Sequence, residues 1–196
     1  MQNVILASAS PRRKELLEQI GLSFTVLPSD FDESRVMNEE KDTEQMVLKI
    51  SSAKAESVAA KVNGVVIGVV IGADTVVSIK GEVLGKPENE ERAVEMLSRL
   101  SGKTHTVYTG VTIINIGSGR KISFAEKTDV FMRHITSEEI FAYVRTGEPM
   151  DKAGAYGAQG KGARFIERIE GDYFNVVGLP ICRLVCELKN FGVEIM

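Results

Sequence analysis

Three consecutive cations, Arg12, Arg13 and Lys14, fall in the first turn of a predicted helix capped by Ser10. A helix N-terminus is already positive, so cations placed there are unfavourable by roughly a few tenths of a kcal/mol each unless an anion binds. Main-chain N–H groups at that end, together with two guanidinium forks, are the donors that a phosphate group needs. The pattern therefore indicates a candidate phosphate site that begins at Ser8. The alternative is three solvated surface cations.

A carboxylate follows the most apolar stretch of the chain. Asp74 lies in Gly72-Ala73-Asp74-Thr75, directly after a predicted strand over 65–71. Ligands bind at strand ends in α/β sheets, and a carboxylate there can hold Mg²⁺ or take a proton from an attacking water. The alternative is a turn aspartate that binds its own backbone. The strand also contains Val-Val-Ile-Gly twice, at 65–68 and 69–72.

Two lysines are candidates for contacts with an anion. Lys54 shares one stripe of a predicted helix over 42–62 with apolar Val47 and Ile50. A lysine on such a stripe is unfavourable unless its ammonium reaches an anion or extends to solvent. Lys86 stands between a glycine and a proline, so a fixed turn presents one cation. Solvent contact is the alternative for both lysines.

Two further segments carry groups that can bind a ligand. Small residues over 153–162 let a backbone approach a ligand closely, and Gln159 offers both a donor and an acceptor. The alternative is a flexible surface loop. The acidic cluster of Asp30, Asp32 and Glu33 has the oxygens to ligate a metal ion or is simply solvated.

The elements that must position these residues mix strands and helices without strict alternation. Predicted strands span 4–7, 24–27, 65–71, 106–116, 122–135 and 164–169, with a hairpin over 76–83 around Lys80-Gly81. One predicted helix begins at residue 11, and four more span 42–62, 89–100, 137–146 and 179–190. Residues 29–41 are predicted to be a polar loop. We expect an α/β fold around a long, mixed, twisted β-sheet flanked by helices. Because no linker is evident, we expect a single domain over 1–196.

Composition excludes several classes of protein. The chain has 196 residues, of which 43% are hydrophobic and 26% charged, as in ordinary globular proteins. Its 24 basic and 27 acidic residues argue against a protein that coats nucleic acid, which would have a basic excess. The longest apolar run is far shorter than the roughly 20 residues of a membrane-spanning helix, and the start lacks a signal-peptide pattern. We expect a cytoplasmic protein with neither nucleic-acid nor membrane partners.

The two cysteines, Cys182 and Cys186, are four positions apart in a predicted helix, so they share one face. Because the surrounding run is apolar, we expect buried free thiols. His105 and His134 are the only histidines, so the sequence offers few ligands for a zinc site made of histidine and cysteine.

Short motifs are spread along nearly the whole chain. They are Leu6-Ala7-Ser8-Ala9-Ser10-Pro11-Arg12-Arg13, Lys54-Ala55, Gly72-Ala73-Asp74-Thr75-Val76-Val77, Gly85-Lys86-Pro87, Val107-Tyr108-Thr109-Gly110-Val111, Asp151-Lys152-Ala153-Gly154-Ala155-Tyr156-Gly157 and Asn175-Val176-Val177-Gly178-Leu179-Pro180. Each motif alone is weak, but their joint occurrence in this order is highly specific. Together they resemble the Maf family of nucleotide pyrophosphatases.

The resemblance implies hydrolysis of a nucleoside triphosphate to the monophosphate and pyrophosphate, with a divalent metal, Mg²⁺ or Mn²⁺. It implies an elongated α/β fold whose two lobes surround one cleft, similar to inosine-triphosphate pyrophosphatases. It also implies that a homodimer is possible.

The resemblance also assigns roles to residues. The family's proton acceptor falls on Asp74, which with Glu33 would hold the metal. The other polar cleft positions fall on Ser8, Arg13, Lys54 and Lys86. The positions tied to substrate choice fall on Arg12, Thr75 and Gln159. The family branch that prefers dTTP and UTP carries Arg, Thr and Gln there, as this chain does. Ala158 departs from the usual isoleucine or valine before the glutamine.

The resemblance therefore predicts a dTTP/UTP pyrophosphatase that also takes modified pyrimidine triphosphates. The alternatives are the same reaction on 7-methyl-GTP or inosine triphosphate, and a nucleotide-binding regulator of cell division with incidental turnover. For Arg13, we expect that truncation weakens catalysis without destabilising the protein, since a cation at a helix N-terminus is unfavourable. The sequence does not show what would fix the orientation of the Gln159 amide.

Overall fold

The structure, a computed structural model, describes residues 3–62, 64 and 66–195. The strands are β1 (Asn3–Leu6), β2 (Thr25–Val26), β3 (Gly68–Ile79), β4 (Glu82–Leu84), β5 (Thr104–Asn115), β6 (Lys121–Met132) and β7 (Ile166–Glu170). The helices are α1 (Pro11–Gln19), α2 (Ser34–Glu39), α3 (Thr43–Val62), α4 (Glu90–Leu100), α5 (Ser137–Val144), α6 (Tyr173–Val177) and α7 (Ile181–Asn190). Short 3₁₀ turns cover Glu148–Asp151, Ala153–Ala155 and Gly160–Phe165.

The strands in the described part of the chain form a mixed sheet. Its order is β2-β1-β3-β5-β6-β7, and β4 also pairs with β3. β1 runs parallel to β2 and β3, whereas β4 is antiparallel to β3 and β7 is antiparallel to β6. The predicted α/β class with a mixed sheet is confirmed. Among the described helices, none combines the length and the apolar character needed to cross a bilayer.

The chain divides into two compact units. The first contains residues 1–74, 109–126 and 178–196, and the second contains residues 75–108 and 127–177. One core cluster of the first unit contains Ile5, Ala7, Ala55, Val58, Val70 and Ile114. A core cluster of the second unit includes Val77, Leu84, Leu97, Val130, Tyr143 and Phe165. The single domain around one cleft stays a prediction.

The strand that carries Asp74 is longer than predicted. β3 runs without a break from Gly68 to Ile79, so Asp74 lies within a strand rather than after its end. The prediction of a strand end was wrong because nearly every β3 residue is buried, and a strand covered on both faces continues through polar positions. The predicted turn at Lys80-Gly81 is confirmed, with φ of 52° and 80° at the two positions.

The tandem Val-Val-Ile-Gly is divided by the start of β3. β1 pairs in parallel with the second copy, from Val4 opposite Val69 to Leu6 opposite Ile71. Ile67 of the first copy precedes the strand and is exposed. Val65, where the predicted strand began, lies outside the described residues.

Two other predictions about elements were wrong. The segment predicted to be a polar loop contains α2, whose first amide, at Ser34, donates to Asp32 Oδ1 over 2.9 Å. This local side-chain bond starts a helix that has no apolar periodicity to reveal it. Cys182 and Cys186 are exposed rather than buried, because α7 packs through the stripe of Ile181, Leu184 and Leu188.

Two glycines let α3 approach the sheet closely. A Cβ added at Gly72 on β3 would lie 2.3 Å from the Ser51 carbonyl oxygen of α3. A Cβ added at Gly110 on β5 would lie 2.2 Å from the Val47 carbonyl oxygen of the same helix. Only glycine fits at such distances, so these two positions set how near α3 lies to β3 and β5.

Gly72→Ala is expected to destabilise the protein because its methyl group must push α3 away from β3. Overpacking of this kind costs about 1–3 kcal/mol, which lowers Tm by roughly 2–10 °C in a chain of this size. Gly117→Ala is the control, since a Cβ there would meet only Asn115 Oδ1 at an ordinary 3.6 Å. Thermal unfolding of both variants checks this, and equal melting temperatures would contradict the close packing of α3.

Candidate active site

The approach of α3 brings a lysine onto the aspartate of β3. Side chains alternate along a strand, so Asp74 points to the same face as Gly72, the face that α3 covers. Lys54 of α3 donates from Nζ to Asp74 Oδ1 over 2.7 Å. The two side chains are 11% and 8% exposed. This is a buried ion pair, whose partners each depend on the other for compensation of charge.

A second carboxylate shares the same ammonium group. Glu33, the residue before α2, places Oε1 2.5 Å from Lys54 Nζ. The Glu33 side chain is 38% exposed, so this side of the lysine is more open than the Asp74 side. Sequence reasoning offered an anion or solvent as the partner of Lys54. The structure gives it two anions, and both are carboxylates of the protein.

Arg13 is buried and bound to main-chain carbonyl groups. Its Nε donates to the Gly178 carbonyl oxygen over 2.8 Å, and its Nη1 donates to the Ala73 carbonyl oxygen over 2.8 Å. Nη1 also donates to Ser8 Oγ over 3.0 Å. Because Ala73 precedes Asp74 in the chain, the guanidinium group holds the backbone from which the Asp74 side chain projects.

The charge of Arg13 is balanced by the same two carboxylates. Burial lowers the pKa of Arg13 from its ordinary value, while Asp74 and Glu33 act in the opposite direction. The structure therefore groups Arg13, Lys54, Asp74 and Glu33 in one electrostatic cluster. The expectation that Arg13 can be truncated without loss of stability is reversed, because a buried guanidinium leaves buried carbonyl groups behind when it is removed.

The three cations at the start of α1 have different surroundings. Arg13 is buried, Arg12 is half-buried, and Lys14 is exposed with its Nζ 3.6 Å from Glu18 Oε1. Ser8 is buried, and its Oγ accepts from Arg13 and from the Ser10 amide. A hydroxyl that accepts two hydrogen bonds keeps its own hydrogen to donate, which suits contact with a phosphate oxygen.

The other acidic residues near Glu33 have separate partners. Asp30 is exposed and lies 3.0 Å from Lys61 Nζ, which lowers its pKa. Hydrogen bonding from Ser34 lowers the pKa of Asp32. In residues 3–62, 64 and 66–195, no group of three or more His, Cys, Asp or Glu side chains is arranged to hold a metal ion. Of this acidic cluster, it is Glu33 that meets the Lys54 ammonium.

The remaining predicted site residues belong to the second unit. Thr75 follows Asp74 on β3 and is half-buried. Lys86 is exposed on its turn, and the Gly85 carbonyl oxygen of that turn accepts from the Gly154 amide over 3.0 Å. Gln159 is half-buried and immediately precedes the 3₁₀ turn over Gly160–Phe165.

The glycine-rich segment is packed rather than flexible. Residues 154–158 are buried, and Ala155 adopts a left-handed φ of 61° that non-glycine residues rarely take. The buried Tyr156 hydroxyl lies 2.6 Å from His105 Nε2. Burial lowers the pKa of His105 to about 4, so the imidazole is neutral at physiological pH. The alternative of a flexible surface loop was wrong for this segment.

Sequence reasoning missed Glu148, a carboxylate that binds this segment. Its oxygens accept from the amides of Lys161 and Gly162. Nothing in the spacing of an irregular segment predicts this contact. The available signal was a single acid, Glu148, directly before Pro149 and close to the glycine-rich stretch.

Arg13→Ala is expected to lower the stability of the protein without any ligand. The variant loses two buried hydrogen bonds from a charged group, to the Ala73 and Gly178 carbonyl oxygens, and such bonds contribute about 1.5–3 kcal/mol each. We expect Tm to fall by roughly 5–15 °C. Lys14→Ala, one position along the helix and exposed, is the control and is expected to change stability by no more than about 0.5 kcal/mol. Equal melting temperatures for the two variants would contradict this role of Arg13.

Comparisons with known proteins identify the family of the chain. The family described as "Maf-like protein" matches residues 3–191. The dTTP/UTP pyrophosphatase of Methanosarcina barkeri is 52% identical over 196 residues, covering 100% of this chain and 97% of that protein. The dTTP/UTP pyrophosphatase of Agathobacter rectalis is 50% identical over 208 residues, covering 100% of both. A solved nucleoside-triphosphatase, the dITP/XTP pyrophosphatase of Mycobacterium abscessus, aligns with 97% of this chain and 98% of that protein at 11% identity and a TM-score of 0.41. The family match and the full-length relatives show that the chain belongs to the Maf family.

Proposed function

We propose that this chain hydrolyses dTTP and UTP to the nucleoside monophosphate and pyrophosphate. The observation that carries the proposal is the similarity over its whole length to proteins named dTTP/UTP pyrophosphatase, half of its residues being identical. The cluster of Asp74, Lys54 and Glu33 supplies the groups that such a reaction needs, a carboxylate base and a cation.

In the proposed mechanism, the triphosphate binds at the start of α1. Arg12 and the amides of the first turn meet its oxygens, and the Ser8 hydroxyl donates to one of them. Lys86 adds a further cation for the phosphate chain. Arg13 positions groups of this site, because it donates hydrogen bonds to Ser8 Oγ and to the Ala73 carbonyl oxygen. Its direct contact with phosphate stays a prediction.

Asp74 is the proposed base. It accepts a proton from the water that attacks the α-phosphorus, the bond from that phosphorus to the bridging oxygen breaks, and pyrophosphate leaves. The ammonium group of Lys54 fixes Oδ1 of Asp74, and in the proposed mechanism the other carboxylate oxygen takes the proton. Holding the base by a buried ion pair reduces the reorganisation that the reaction requires.

A divalent metal ion, Mg²⁺ or Mn²⁺, is part of the proposal. Glu33 and Asp74 converge on one point, since both carboxylates lie within hydrogen-bond distance of the same ammonium group. Mg²⁺ is usually bound through one or two carboxylates together with substrate phosphates, so Glu33 and Asp74 are the residues that would hold such an ion. When bound, it would neutralise charge at the bridge between the α- and β-phosphates.

Base selection is assigned to Arg12, Thr75 and Gln159. The Gln159 amide can donate to a carbonyl group and accept from N3–H, the pair that uracil and thymine present. Arg12 can donate to a second carbonyl but cannot accept from the amino group of cytosine. We expect preference for UTP and dTTP over CTP by about 1–3 kcal/mol, and poor hydrolysis of the larger ATP and GTP. Turnover of modified pyrimidine triphosphates, a homodimer and a cytoplasmic location stay predictions.

Asp74→Asn is expected to lower kcat by at least about 10²-fold in a variant that still folds, because the amide keeps the shape but cannot take the proton. Its Tm is expected to fall, since the Lys54 ammonium group loses one of its two anions. Asp129→Asn is the matched control, since that aspartate is exposed on β6 and accepts from Thr106 Oγ1. Pyrophosphate release and circular dichroism of both variants check this. An Asn variant that turns over UTP at the wild-type rate would show that Asp74 is not the base.

Gln159→Ala is expected to reduce the ratio of kcat/KM for UTP to that for CTP by a larger factor than it lowers pyrophosphate release overall. The measurement is kcat/KM for UTP, dTTP, CTP and GTP, with 7-methyl-GTP and inosine triphosphate added for the alternative substrates. If CTP or GTP is the best wild-type substrate, the base assignment is wrong while the pyrophosphatase reaction stands. Tight binding without measurable turnover would instead favour a nucleotide-binding regulator.

A further inference from the structure

Glu148 is a carboxylate whose two oxygens are engaged inside the second unit. Oε1 accepts from the Tyr143 hydroxyl and from the Gly162 amide, each over 3.0 Å. Oε2 accepts from the Lys161 amide over 3.0 Å. One half-buried side chain thus binds two successive main-chain amides and a phenol.

These contacts determine the backbone that directly follows Gln159. Lys161 and Gly162 lie in the 3₁₀ turn that begins at Gly160, the residue after the glutamine. Gly160 has a φ of 81°, and a Cβ added there would lie 3.0 Å from the Glu148 carboxylate. A side chain at Gly160 would be strained by this φ and crowded by the carboxylate, and Gln159 is the residue directly before it.

The other end of the same short segment is also held. Lys152 donates from Nζ to the Glu148 carbonyl oxygen over 2.6 Å. Its aliphatic chain lies against Gly157, where an added Cβ would be 2.8 Å from Lys152 Cε. Gly162 in turn lies against Gly157, since a Cβ added at Gly162 would be 2.7 Å from the Gly157 carbonyl oxygen. Residues 157–162 therefore form a loop pinned at both ends, with Gln159 between the fixed points.

The charge of Glu148 favours this arrangement. Burial acts to raise the pKa of Glu148, but the amides of Lys161 and Gly162 and the Tyr143 hydroxyl lower it overall. Burial, followed by the nearby Glu148 charge, raises the pKa of Tyr143, so the phenol stays protonated and donates. Hydrogen bonds to an ionised carboxylate are roughly twice as strong as neutral ones, so this anchor is stiff.

We propose that Glu148 is a positioning residue for base selection, which it serves by fixing the backbone that carries Gln159. The inference rests on the proposed role of Gln159 in reading the base. An amide that must donate to one group and accept from another needs a fixed direction, and a carboxylate that binds the next two amides along the chain supplies it. Glu148 acts through this backbone.

Glu148→Gln tests the proposal, because the amide keeps the size of the side chain but offers one acceptor oxygen for two main-chain N–H groups. Glu139→Gln is the matched control, since Glu139 also accepts from a main-chain amide, at Thr136, and from the Arg133 side chain in the same unit. Tyr143→Phe is a milder second variant that removes one donor and leaves both amide contacts, in case Glu148→Gln fails to fold.

The primary measurement is the ratio of kcat/KM for UTP to that for CTP. We expect Glu148→Gln to reduce this ratio by roughly fivefold to tenfold, with kcat for UTP changed by less than about threefold. Tyr143→Phe is expected to shift the ratio the same way but less, and Glu139→Gln to leave it unchanged. Equal losses for UTP and CTP would show that Glu148 is merely structural and would overturn the proposal.

A double variant tests whether the effect passes through Gln159. If it does, adding Glu148→Gln to Gln159→Ala changes the ratio no further, whereas an independent effect would add fully and contradict the proposal. Failure of the proposed function is seen separately, since wild type and Gln159→Ala would then discriminate equally. Hydrogen exchange at the Lys161 and Gly162 amides needs no substrate. Exchange at least about tenfold faster in Glu148→Gln than in Glu139→Gln supports the anchor, and unchanged exchange overturns it.

Discussion

The buried ammonium group of Lys54 is the constraint on which the first unit depends. A charge of this kind that loses its partner destabilises a protein by several kcal/mol, so both carboxylates that meet it must be delivered to one point. Asp74 is delivered by a strand and Glu33 by the start of a short helix. Lys54 can reach Asp74 because Gly72 lets α3 lie directly against β3. A single methyl group at that position would separate the charges that the proposed reaction uses.

Lys54 in the first unit and the half-buried Glu148 in the second unit are held by different kinds of partner. In the first, Lys54 is held by two side-chain carboxylates, Asp74 and Glu33, which the proposed mechanism also assigns to the reaction. In the second, Glu148 is held largely by main-chain amides, which cannot rearrange without moving the backbone. The first arrangement suits a reaction, in which the carboxylates must exchange one binding partner for another. The second suits recognition, where a direction must stay constant. Arg13 in the first unit resembles Glu148 in this respect, because it is held by main-chain carbonyl groups that move only with the backbone.

The sequence predicts what local periodicity and motif order can encode. The helical stripe that contains Lys54 and the motif around Asp74 were both found, and the family resemblance is confirmed. The path of β3 through Asp74 was missed, because burial on both faces is a tertiary property that no window of sequence contains. Glu148 was missed for a related reason, since the two amides that it binds, at Lys161 and Gly162, lie more than a dozen residues away in a segment without regular structure. The roles of the individual site residues stay predictions.

The doubled Val-Val-Ile-Gly gives the chain two pairing frames for β1 that differ by four residues. An even shift keeps every side chain on its own face, so hydrophobic pattern alone does not distinguish the frames during folding. Even the glycine beside α3 would be replaced by a glycine. The shift of about 13 Å would, however, carry Asp74 away and leave Val70 facing Lys54. The ion pair between Lys54 and Asp74 is therefore specific to the observed alignment, in which β1 pairs with the second copy.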